Sequence, residues 1–352
     1  MKKFLSLSLA ALMTVSLLAG CGSSNSGSSA AASAPAASSA ASSSAAASTP
    51  STGGTGATDK LTMGTGGVSG TYYGFGSVLA QYVSSNTGLD ITAVESGGSQ
   101  ANIEAMEDGE NDMAFSQSDV MSYAYTGTNL FAESGKVDSF SVAAALYMEQ
   151  VQIVTTNPDI KTVADLKGKS VSIGAAGSGT YYNAIDLLGV YGLTENDINA
   201  TYQSFGESAD ALKDGKIDAA FVVAGAPTTA ITDLATSKPV YLVSLDDEHI
   251  DQLTASSPYY TKNVIAGGTY DGLDEDVTTV AVGAVVIVND DVSEDAVYDF
   301  VSTIFENKDA ITAQHAKGGE LDLDYAASMT SVPYHPGAAK YFAEKGITVP
   351  TK

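Results

Sequence analysis

The chain has 352 residues, with 16 lysines and arginines against 41 aspartates and glutamates, and a formal net charge of −25 at pH 7. This acidic balance argues against a nucleic acid partner and against electrostatic binding to anionic lipid, because both are polyanions. Every basic residue is a lysine, so an anionic ligand would have to be held without the bidentate guanidinium of arginine.

The N-terminal residues 1–20 have the pattern of a bacterial export signal. Lys2 and Lys3 precede an apolar run over 4–18 that is too short and too poorly flanked for a membrane span. The run leads into LLAGC, which resembles a bacterial lipobox and ends in Cys21, the only cysteine of the chain. This resemblance implies acylation of Cys21, and the alternative is an ordinary secretory peptide with an unrelated cysteine. A single cysteine forms no internal disulfide, so burial alone is expected to stabilise the fold.

Residues 21–58 are predicted to be a disordered tether that begins at the lipidated cysteine. From residue 22 onward the segment consists almost entirely of Ser, Ala, Gly, Thr and Pro. Such a composition cannot bury enough apolar surface to offset the entropy lost on ordering. The folded body then begins near Lys60, and its size favours two domains over one.

Short apolar strands alternate with helical periodicity in the body of the chain, which indicates mainly parallel α/β sheets. The segment LTMGT (61–65) predicts the first strand, and a glycine-rich stretch then leads into a helix. LDITAVES (89–96) predicts the second strand, and 102–107 a short helix. DMAFSQSD (112–119) predicts a third strand that ends in a polar loop.

The second half of the chain repeats this order. The pentapeptide SGTYY occurs at 69–73 and again at 178–182, where it follows the predicted strand KSVSIG (169–174). The segment DGENDMAF (108–115) has its counterpart in DGKIDAAF (214–221). Two matches in the same order, at nearly the same offset, predict two topologically similar α/β lobes.

The C-terminal part of the chain completes the first lobe instead of starting a third copy. TVAVGAVVIVN (279–289) predicts a long buried strand. The first lobe is therefore predicted to comprise 60–153 and 282–352, and the second lobe 157–278. LYMEQVQIVTT (146–156) and TVAVGAVVIV are the predicted crossings between the lobes.

The polar loops at the strand ends are the predicted ligand site, because ligands of open parallel sheets lie beyond the carboxyl ends of the strands. Both copies of SGTYY lie at such ends, where glycines allow close approach and helix N-termini favour an anion. Two opposed helix N-termini would hold a carboxylate in a chain that lacks arginine. The alternative for each copy is that Ser-Gly-Thr only caps its own helix.

Six segments, taken in order, resemble the TAXI family: TGGVSGTYYGFG, SGGSQANIEAMEDGENDMAFSQSD, LYMEQVQIV, DLKGKSVSIGAAGSGT, DGKIDAAFVVAGAP and PYHPGAAKYFAEKG. Members of this family are extracytoplasmic solute receptors of tripartite ATP-independent periplasmic (TRAP) transporters. The resemblance covers nearly all of 60–347. It implies a two-lobed, type II periplasmic-binding-protein fold, each lobe a mainly parallel sheet flanked by helices, with the ligand in the cleft between them. The ligands it implies are glutamate-like amino acids and 2-oxoglutarate-like dicarboxylates.

Position and resemblance together predict the ligand-binding residues. Those of the first lobe are Thr65, Gly66, Gly67, Ser69, Gly70, Tyr72, Glu95, Gly98, Ser99, Asn102 and Gln117. Those of the second lobe are Ser178, Gly179, Thr180, Gly225, Ala226 and Pro227. If Glu95 points inward, it would favour a ligand with an amino group. No cofactor, metal or catalytic residue is expected, since the three histidines lack the spacing of metal ligands.

The chain is therefore expected to be a monomeric, lipid-anchored extracytoplasmic receptor and not an enzyme. It would capture a small organic acid by hinge closure and deliver it to the membrane subunits of a TRAP-type permease. One alternative is an enzyme on the same scaffold that uses the carboxylates of Glu95 and Asp119. Another is a sensory or adhesive lipoprotein. A nucleophilic hydrolase lacks obvious machinery here, because no Gly-x-Ser-x-Gly elbow occurs and the cysteine is assigned to lipid.

Overall fold

The computed structural model of the protein describes residues 59–352. Within that range the strands are β1 Lys60–Gly64, β2 Asp90–Val94, β3 Met113–Gln117, β4 Phe140–Thr155, β5 Ser170–Ser172, β6 Asn199–Thr201, β7 Ala219–Ala224, β8 Tyr241–Leu242, β9 Thr261–Ile265 and β10 Val277–Asn289. The α-helices are α1 Thr71–Asn86, α2 Ser99–Glu107, α3 Ser118–Thr126, α4 Gly179–Val190, α5 Phe205–Lys213, α6 Thr229–Ala235, α7 Asp247–Ser256, α8 Glu294–Glu306, α9 Lys308–Thr312, α10 Leu323–Ala326 and α11 Pro336–Glu344. Short 3-10 helices cover Asn129–Phe131, Val163–Leu166, Glu195–Asp197 and Ala316–Glu320.

The strands join in one sheet with the order β2-β1-β3-β10-β4-β7-β5-β6, and β8 and β9 pair with β4 and β10. The order contains the same unit twice. Strands β2, β1 and β3 are parallel and adjoin the antiparallel strand β10. Strands β6, β5 and β7 are likewise parallel and adjoin the antiparallel strand β4. The structure therefore has the duplicated α/β arrangement that the sequence predicts, with a parallel three-stranded unit in each lobe, although the sheet as a whole mixes parallel and antiparallel pairs.

The buried apolar side chains divide the body into two lobes. The first lobe surrounds a core drawn from residues between Leu61 and Tyr147 and between Ala284 and Val349. The second lobe contains two cores drawn from residues between Val151 and Val282. Alternate residues of β7 belong to one or the other of these two cores, so the cores cover opposite faces of its sheet.

Two long strands pass from one lobe to the other. In β4, Tyr147 packs in the first lobe and Val151 in the second; in β10, Val282 packs in the second lobe and Ala284 in the first. The crossings therefore lie between these residues, within the two segments that the sequence predicts. Because each crossing is a strand without a long loop, the two strands are suited to act as a hinge.

The repeated segments DGENDMAF and DGKIDAAF place an equivalent aspartate in each lobe. Asp112 Oδ2 accepts a hydrogen bond from the backbone N–H of Thr62 at 2.7 Å, and Asp218 Oδ2 accepts one from Ser170 at 2.8 Å. Each carboxylate thus holds the backbone of a central strand, β1 or β5. The preceding Gly109 and Gly215 have φ angles of 73° and 69°, which suit glycine in the turn after a helix.

Some sequence-based predictions concern regions or properties that the fold does not address. The predicted signal peptide (1–20) and the tether with its acylated Cys21 (21–58) lie outside the described residues. The limits predicted for the lobes, 60–153 with 282–352 and 157–278, stay a prediction. Among the helices of residues 59–352, none has the length and apolar character needed to span a membrane.

Candidate functional site

A cavity of about 230 Å³ lies between the two lobes. This volume is below the range of about 300–1,000 Å³ that is typical of ligand pockets, so the cavity suits a small metabolite. Both copies of SGTYY reach it. The predicted residues that line it are Gly66, Gly67, Gly70, Tyr72, Glu95, Gly98, Ser99 and Gln117 of the first lobe and Ser178, Gly179 and Thr180 of the second.

Two predicted residues, Thr65 and Asn102, lie behind the cavity wall. Both are fully buried. The amide Nδ2 of Asn102 donates hydrogen bonds to the carbonyl oxygens of Thr65 and Phe115, each at 2.7 Å, and Thr65 itself bonds to Val94. These contacts fasten the ends of β1, β2 and β3 to one another, so the two residues shape the wall without lining it.

The other predicted residues outside the cavity lining are Ser69, Gly225, Ala226 and Pro227. Two of them hold the lobes together. The carbonyl of Ser69 accepts a hydrogen bond from the N–H of Ala230 at 3.1 Å, and the carbonyl of Gly225 accepts one from the hydroxyl of Thr71 at 2.9 Å. The loop around Ala226 and Pro227 is thereby placed beside the cavity and not in its wall.

The two copies of SGTYY differ in how they begin their helices. Helix α4 begins at Gly179, and the hydroxyl of Ser178 accepts a bond from the N–H of Tyr181 and donates to the carbonyl of Ala175. Helix α1 begins one residue later within the pentapeptide, with Gly70 as N-cap and no side-chain cap. Ser178 therefore performs the capping role considered above, whereas the first turn of α1 meets the cavity uncapped.

The tyrosines of the two copies point in different directions. Tyr72 is buried, its ring lies 4.9 Å from that of Phe115, and its hydroxyl donates to Glu149 Oε2 at 2.7 Å. Tyr73 is half-buried. In the second copy both tyrosines are half-buried, and the hydroxyl of Tyr182 donates to Gln100 of the first lobe at 2.9 Å. In the second copy Tyr181 packs against the core of the second lobe, whereas Tyr182 reaches across to the first lobe.

The cavity contains a buried carboxylate that the sequence does not single out. Glu149 lines the cavity on β4, at the crossing between the lobes, and only 2% of its surface is exposed. Burial raises the pKa of its carboxyl to about 8, while the hydrogen bond from Tyr72 opposes this shift. An acid within the apolar run LYMEQVQIV is a sequence signal for such a residue, because a buried charge needs a partner.

The cavity is acidic. Besides Glu149 it is lined by Glu95 and Glu207, which are exposed at the rim, and no lysine or histidine is among the lining residues in the described part of the chain. Two hydrogen bonds from Ser204 hold Glu207 and lower the pKa of its carboxyl. Across residues 59–352 no group of three or more His, Cys, Asp or Glu side chains is arranged to hold a metal ion.

Lys317 provides positive charge behind the cavity wall. It is 4% exposed, and its Nζ forms an ion pair with Glu320 at 2.5 Å and lies 5.2 Å from the ring centre of Tyr147. Its alkyl chain packs on Gly225, where even a methyl group would collide with it. The lysine favours the charged form of Glu149 from a distance but does not line the cavity.

The remaining cavity-lining residues were not predicted from the sequence. They are mostly small or polar, and they come from loops that adjoin the predicted ones. Thr71, Ser96 and Gly97 adjoin predicted residues of the first lobe; the others are Ala175, Tyr202, Ser204, Phe205, Val223 and Ala224 of the second lobe. Asp119, which the enzyme alternative pairs with Glu95, is not among the lining residues.

Comparison with known proteins gives a family and a fold. A family model described as the NMT1-like family matches residues 63–346. A solved protein from Bordetella bronchiseptica RB50 is 17% identical with a TM-score of 0.50, over 81% of this chain and 88% of that one. The periplasmic aliphatic sulphonate-binding protein SsuA from Escherichia coli is 18% identical with a TM-score of 0.43, over 82% and 91%.

A further solved structure is the ligand-binding core of GluR0 from Nostoc punctiforme in complex with L-glutamate. It is 15% identical with a TM-score of 0.45, over 74% of this chain and 99% of that one. Similarity at this level of identity concerns the fold alone. The duplicated sheet order and the separate cores of the two lobes confirm the predicted two-lobed α/β fold.

Proposed function

Since the chain belongs to the NMT1-like family, we propose that it is an extracytoplasmic solute receptor that binds a small organic acid between its lobes. One observation carries the proposal: the cavity is walled by both lobes and is reached by the first turns of α1 and α4. A site assembled from two lobes forms completely only when they close, as expected of a receptor that traps its ligand.

Direct contacts between the lobes support closure as the mechanism. The N–H groups of Gln100 and Ala101, at the start of α2, donate to the carbonyl of Gly177 at 3.0 and 3.1 Å. With the contacts of Ser69 and Thr71 described above, they join loops of one lobe to loops of the other. Opening about β4 and β10 would break these bonds and expose the cavity to solvent.

We assign the receptor to the TAXI type and propose that it delivers its ligand to a TRAP-type permease. The ordered segments that resemble this family cover both lobes, and the chain has no arginine with which to clamp a carboxylate. A lipid on Cys21 would keep the receptor at the outer face of the cell membrane, with the segment 22–58 as its tether. The receptor would act as a monomer.

Among the two ligand classes, the charges of the cavity favour a glutamate-like amino acid over a dicarboxylate. An ammonium group beside Glu149 would give that buried carboxylate a cationic partner. The ligand carboxylate would then lie at the uncapped first turn of α1, where N–H groups and the helix dipole favour an anion. A 2-oxoglutarate-like dicarboxylate has no ammonium group, so it would leave Glu149 without a cationic partner in a cavity lined by three glutamates.

A ligand panel tests the receptor and the ligand class together. Thermal unfolding of the purified full-length chain is measured with L-amino acids and with dicarboxylates, and calorimetry follows for the compounds that raise Tm. A ligand at 100 times its Kd should add about 2.7 kcal/mol to the free energy of unfolding. Absence of any stabilisation across the panel would contradict the receptor; stabilisation by dicarboxylates alone would contradict the assigned class.

The variant Glu149→Gln tests the assigned partner of the amino group. It keeps the size of the side chain but removes its charge, so amino acid affinity should fall roughly 10- to 100-fold, the usual value of a charged hydrogen bond. The same change at exposed Glu110 is the control and should leave affinity unaltered. Equal affinity in wild type and Glu149→Gln would show that the ammonium binds elsewhere.

A further inference from the structure

A buried polar cluster joins the two lobes outside the cavity. Asp119 belongs to α3 of the first lobe, whereas Asn183 on α4 and Tyr260 belong to the second. The Nδ2 of Asn183 donates to Asp119 Oδ2 at 2.9 Å and to the hydroxyl oxygen of Tyr260 at 2.7 Å. The hydroxyl of Tyr260 in turn donates to Asp186 Oδ2 at 2.9 Å. One amide thus bridges an acid of one lobe to a phenol of the other.

The cluster holds more acceptors than donors. Asp119 and Asn183 are both fully buried. Within the described residues, Asp119 Oδ1 and Asn183 Oδ1 have no hydrogen-bond partner. A buried acceptor without a donor is costly, and an added proton on Asp119 would turn one acceptor into a donor.

The groups that face Asp119 offer no positive charge. They are Asp186 on α4, Glu149 on β4, Tyr123 on α3 and Tyr260 before β9. Two of them are acids and two are phenols, so none neutralises a carboxylate. Burial, with a smaller contribution from Asp186, raises the pKa of the Asp119 carboxyl to about 6.

We propose that Asp119 and Asn183 form an interlobe latch, which sets the affinity of the receptor without touching its ligand and takes up a proton when the lobes close. The latch rests on the proposed function in one respect, that the lobes open and close. Asp119 lies in the first turn of α3, next to Ser118, whose hydroxyl accepts a bond from the N–H of Gly283 at the crossing. Opening about that crossing separates Asp119 from α4 and admits water to both.

The sign of the pH dependence follows from the two environments of Asp119. In the open form water would surround the carboxylate, so its pKa would return towards the ordinary value of 3.8. In the closed form its pKa is raised, so closure is favoured when the group is protonated. The closing equilibrium should therefore strengthen as pH falls from above 6 towards 4, by up to about 100-fold, because each unit of pKa difference corresponds to tenfold.

Three variants separate the charge of the latch from its hydrogen bond. Asp119→Asn keeps an acceptor for Asn183 and removes the charge, so it should favour the closed form at pH 7.5 and abolish the pH dependence. Asp119→Ala also abolishes the pH dependence but closes less than Asp119→Asn. Asn183→Ala leaves the charge in place, so it should reduce closure at every pH and keep the dependence. Asp291→Asn, at an exposed aspartate, is the control.

Lobe closure can be measured without a ligand. Glu110→Cys and Lys213→Cys place labels at exposed positions, in the turn after α2 and at the last residue of α5. Energy transfer between the labels is recorded from pH 7.5 to 4.5 in the full-length chain with Cys21→Ser and Glu149→Gln, because the buried Glu149 carboxyl, whose pKa is raised to about 8, would otherwise titrate over the same range. If the latch works as proposed, the closed fraction of the chain with Asp119 rises as pH falls. The closed fraction of Asp119→Asn does not change with pH, and at pH 7.5 it is higher than that of the chain with Asp119.

Two results would overturn the latch: a wild-type distribution that does not change with pH, or an Asp119→Asn variant that titrates like the wild type. Binding is not part of this readout. A receptor that shows the expected pH dependence but binds no compound of the ligand panel would contradict the proposed function alone. Conversely, ligand binding with pH-independent closure would contradict the latch alone.

Discussion

Glu149 is the side chain on which ligand selection depends most in the proposed receptor. It lies at the crossing of β4, receives a hydrogen bond from Tyr72, and is almost completely removed from water. Its carboxyl can accept from an ammonium when ionised and can donate to a carboxylate when protonated. Since its pKa is raised to about 8, both forms are available near neutral pH, and the ligand decides between them.

The pH dependence of binding should reveal which form is used. An ammonium ligand favours ionised Glu149, so it lowers the raised pKa and releases a proton on binding. Its affinity should therefore increase as pH rises from 6 to 8 and level off above the free-state pKa. Calorimetry in buffers of different ionisation enthalpy measures this release. Proton uptake, with affinity falling over the same range, would identify a carboxylate beside Glu149 instead.

Ser178 illustrates a residue whose role has two parts. Its hydroxyl caps α4, and the loss of such a cap typically lowers the free energy of unfolding by about 1 kcal/mol. It also lines the cavity, so direct contact with the ligand stays a prediction from the sequence. Ser69, its counterpart in the first copy, has no capping role and does not line the cavity.

At the scale of elements, the start of α4 determines how closely the lobes approach. Gly179 faces Gln117 of the first lobe so closely that a methyl group at this position would overlap the Oε1 atom. The glycine is therefore required by the closed form, although its own backbone conformation is helical. In an open form, with Gln117 withdrawn, the same methyl group would meet no such obstacle.

The variant Gly179→Ala should impair ligand binding without harming the fold. Overpacking of a tight contact costs about 1–3 kcal/mol, so affinity should fall roughly 5- to 100-fold, while Tm without ligand should not decrease. Gly189→Ala is the matched control on the same helix, because no atom lies within 4 Å of the added methyl group. Calorimetry measures the ligand affinity of both variants, and thermal unfolding measures their Tm. Unchanged affinity in Gly179→Ala would mean that the ligand-bound lobes are further apart.

At the scale of the whole molecule, the proposed attachment to the membrane depends on Cys21, which lies outside the described range. With Cys21→Ser, the chain should still be exported but should no longer be acylated, because the sulfur is the acceptor in lipoproteins of this type. We expect the variant in the soluble fraction after cell disruption, and the wild type in the membrane fraction. Fractionation with mass spectrometry of the N-terminus measures both. A wild-type chain found soluble and without acyl mass would contradict the lipid anchor.

The sequence by itself determined the duplicated architecture. Strand and helix periodicities are local. The repeated SGTYY segments mark the start of a helix in each lobe, and the repeated aspartates Asp112 and Asp218 bond to a central strand of each lobe. The strand-end rule then located the loops of the site, and eleven of the seventeen predicted residues line the cavity. Both inferences depend on residues that are close along the chain.

Only the tertiary structure decided which side chains meet across the lobes. Glu149 lies in an apolar strand, and its exposure to the cavity follows from the crossing that β4 makes. Asp119 and Asn183 lie far apart in the sequence and are joined by the packing of α3 on α4. The two identical pentapeptides also differ in structure, because Ser178 caps α4 whereas α1 has no side-chain cap. Such contacts depend on lobe packing, which no local pattern in the chain records.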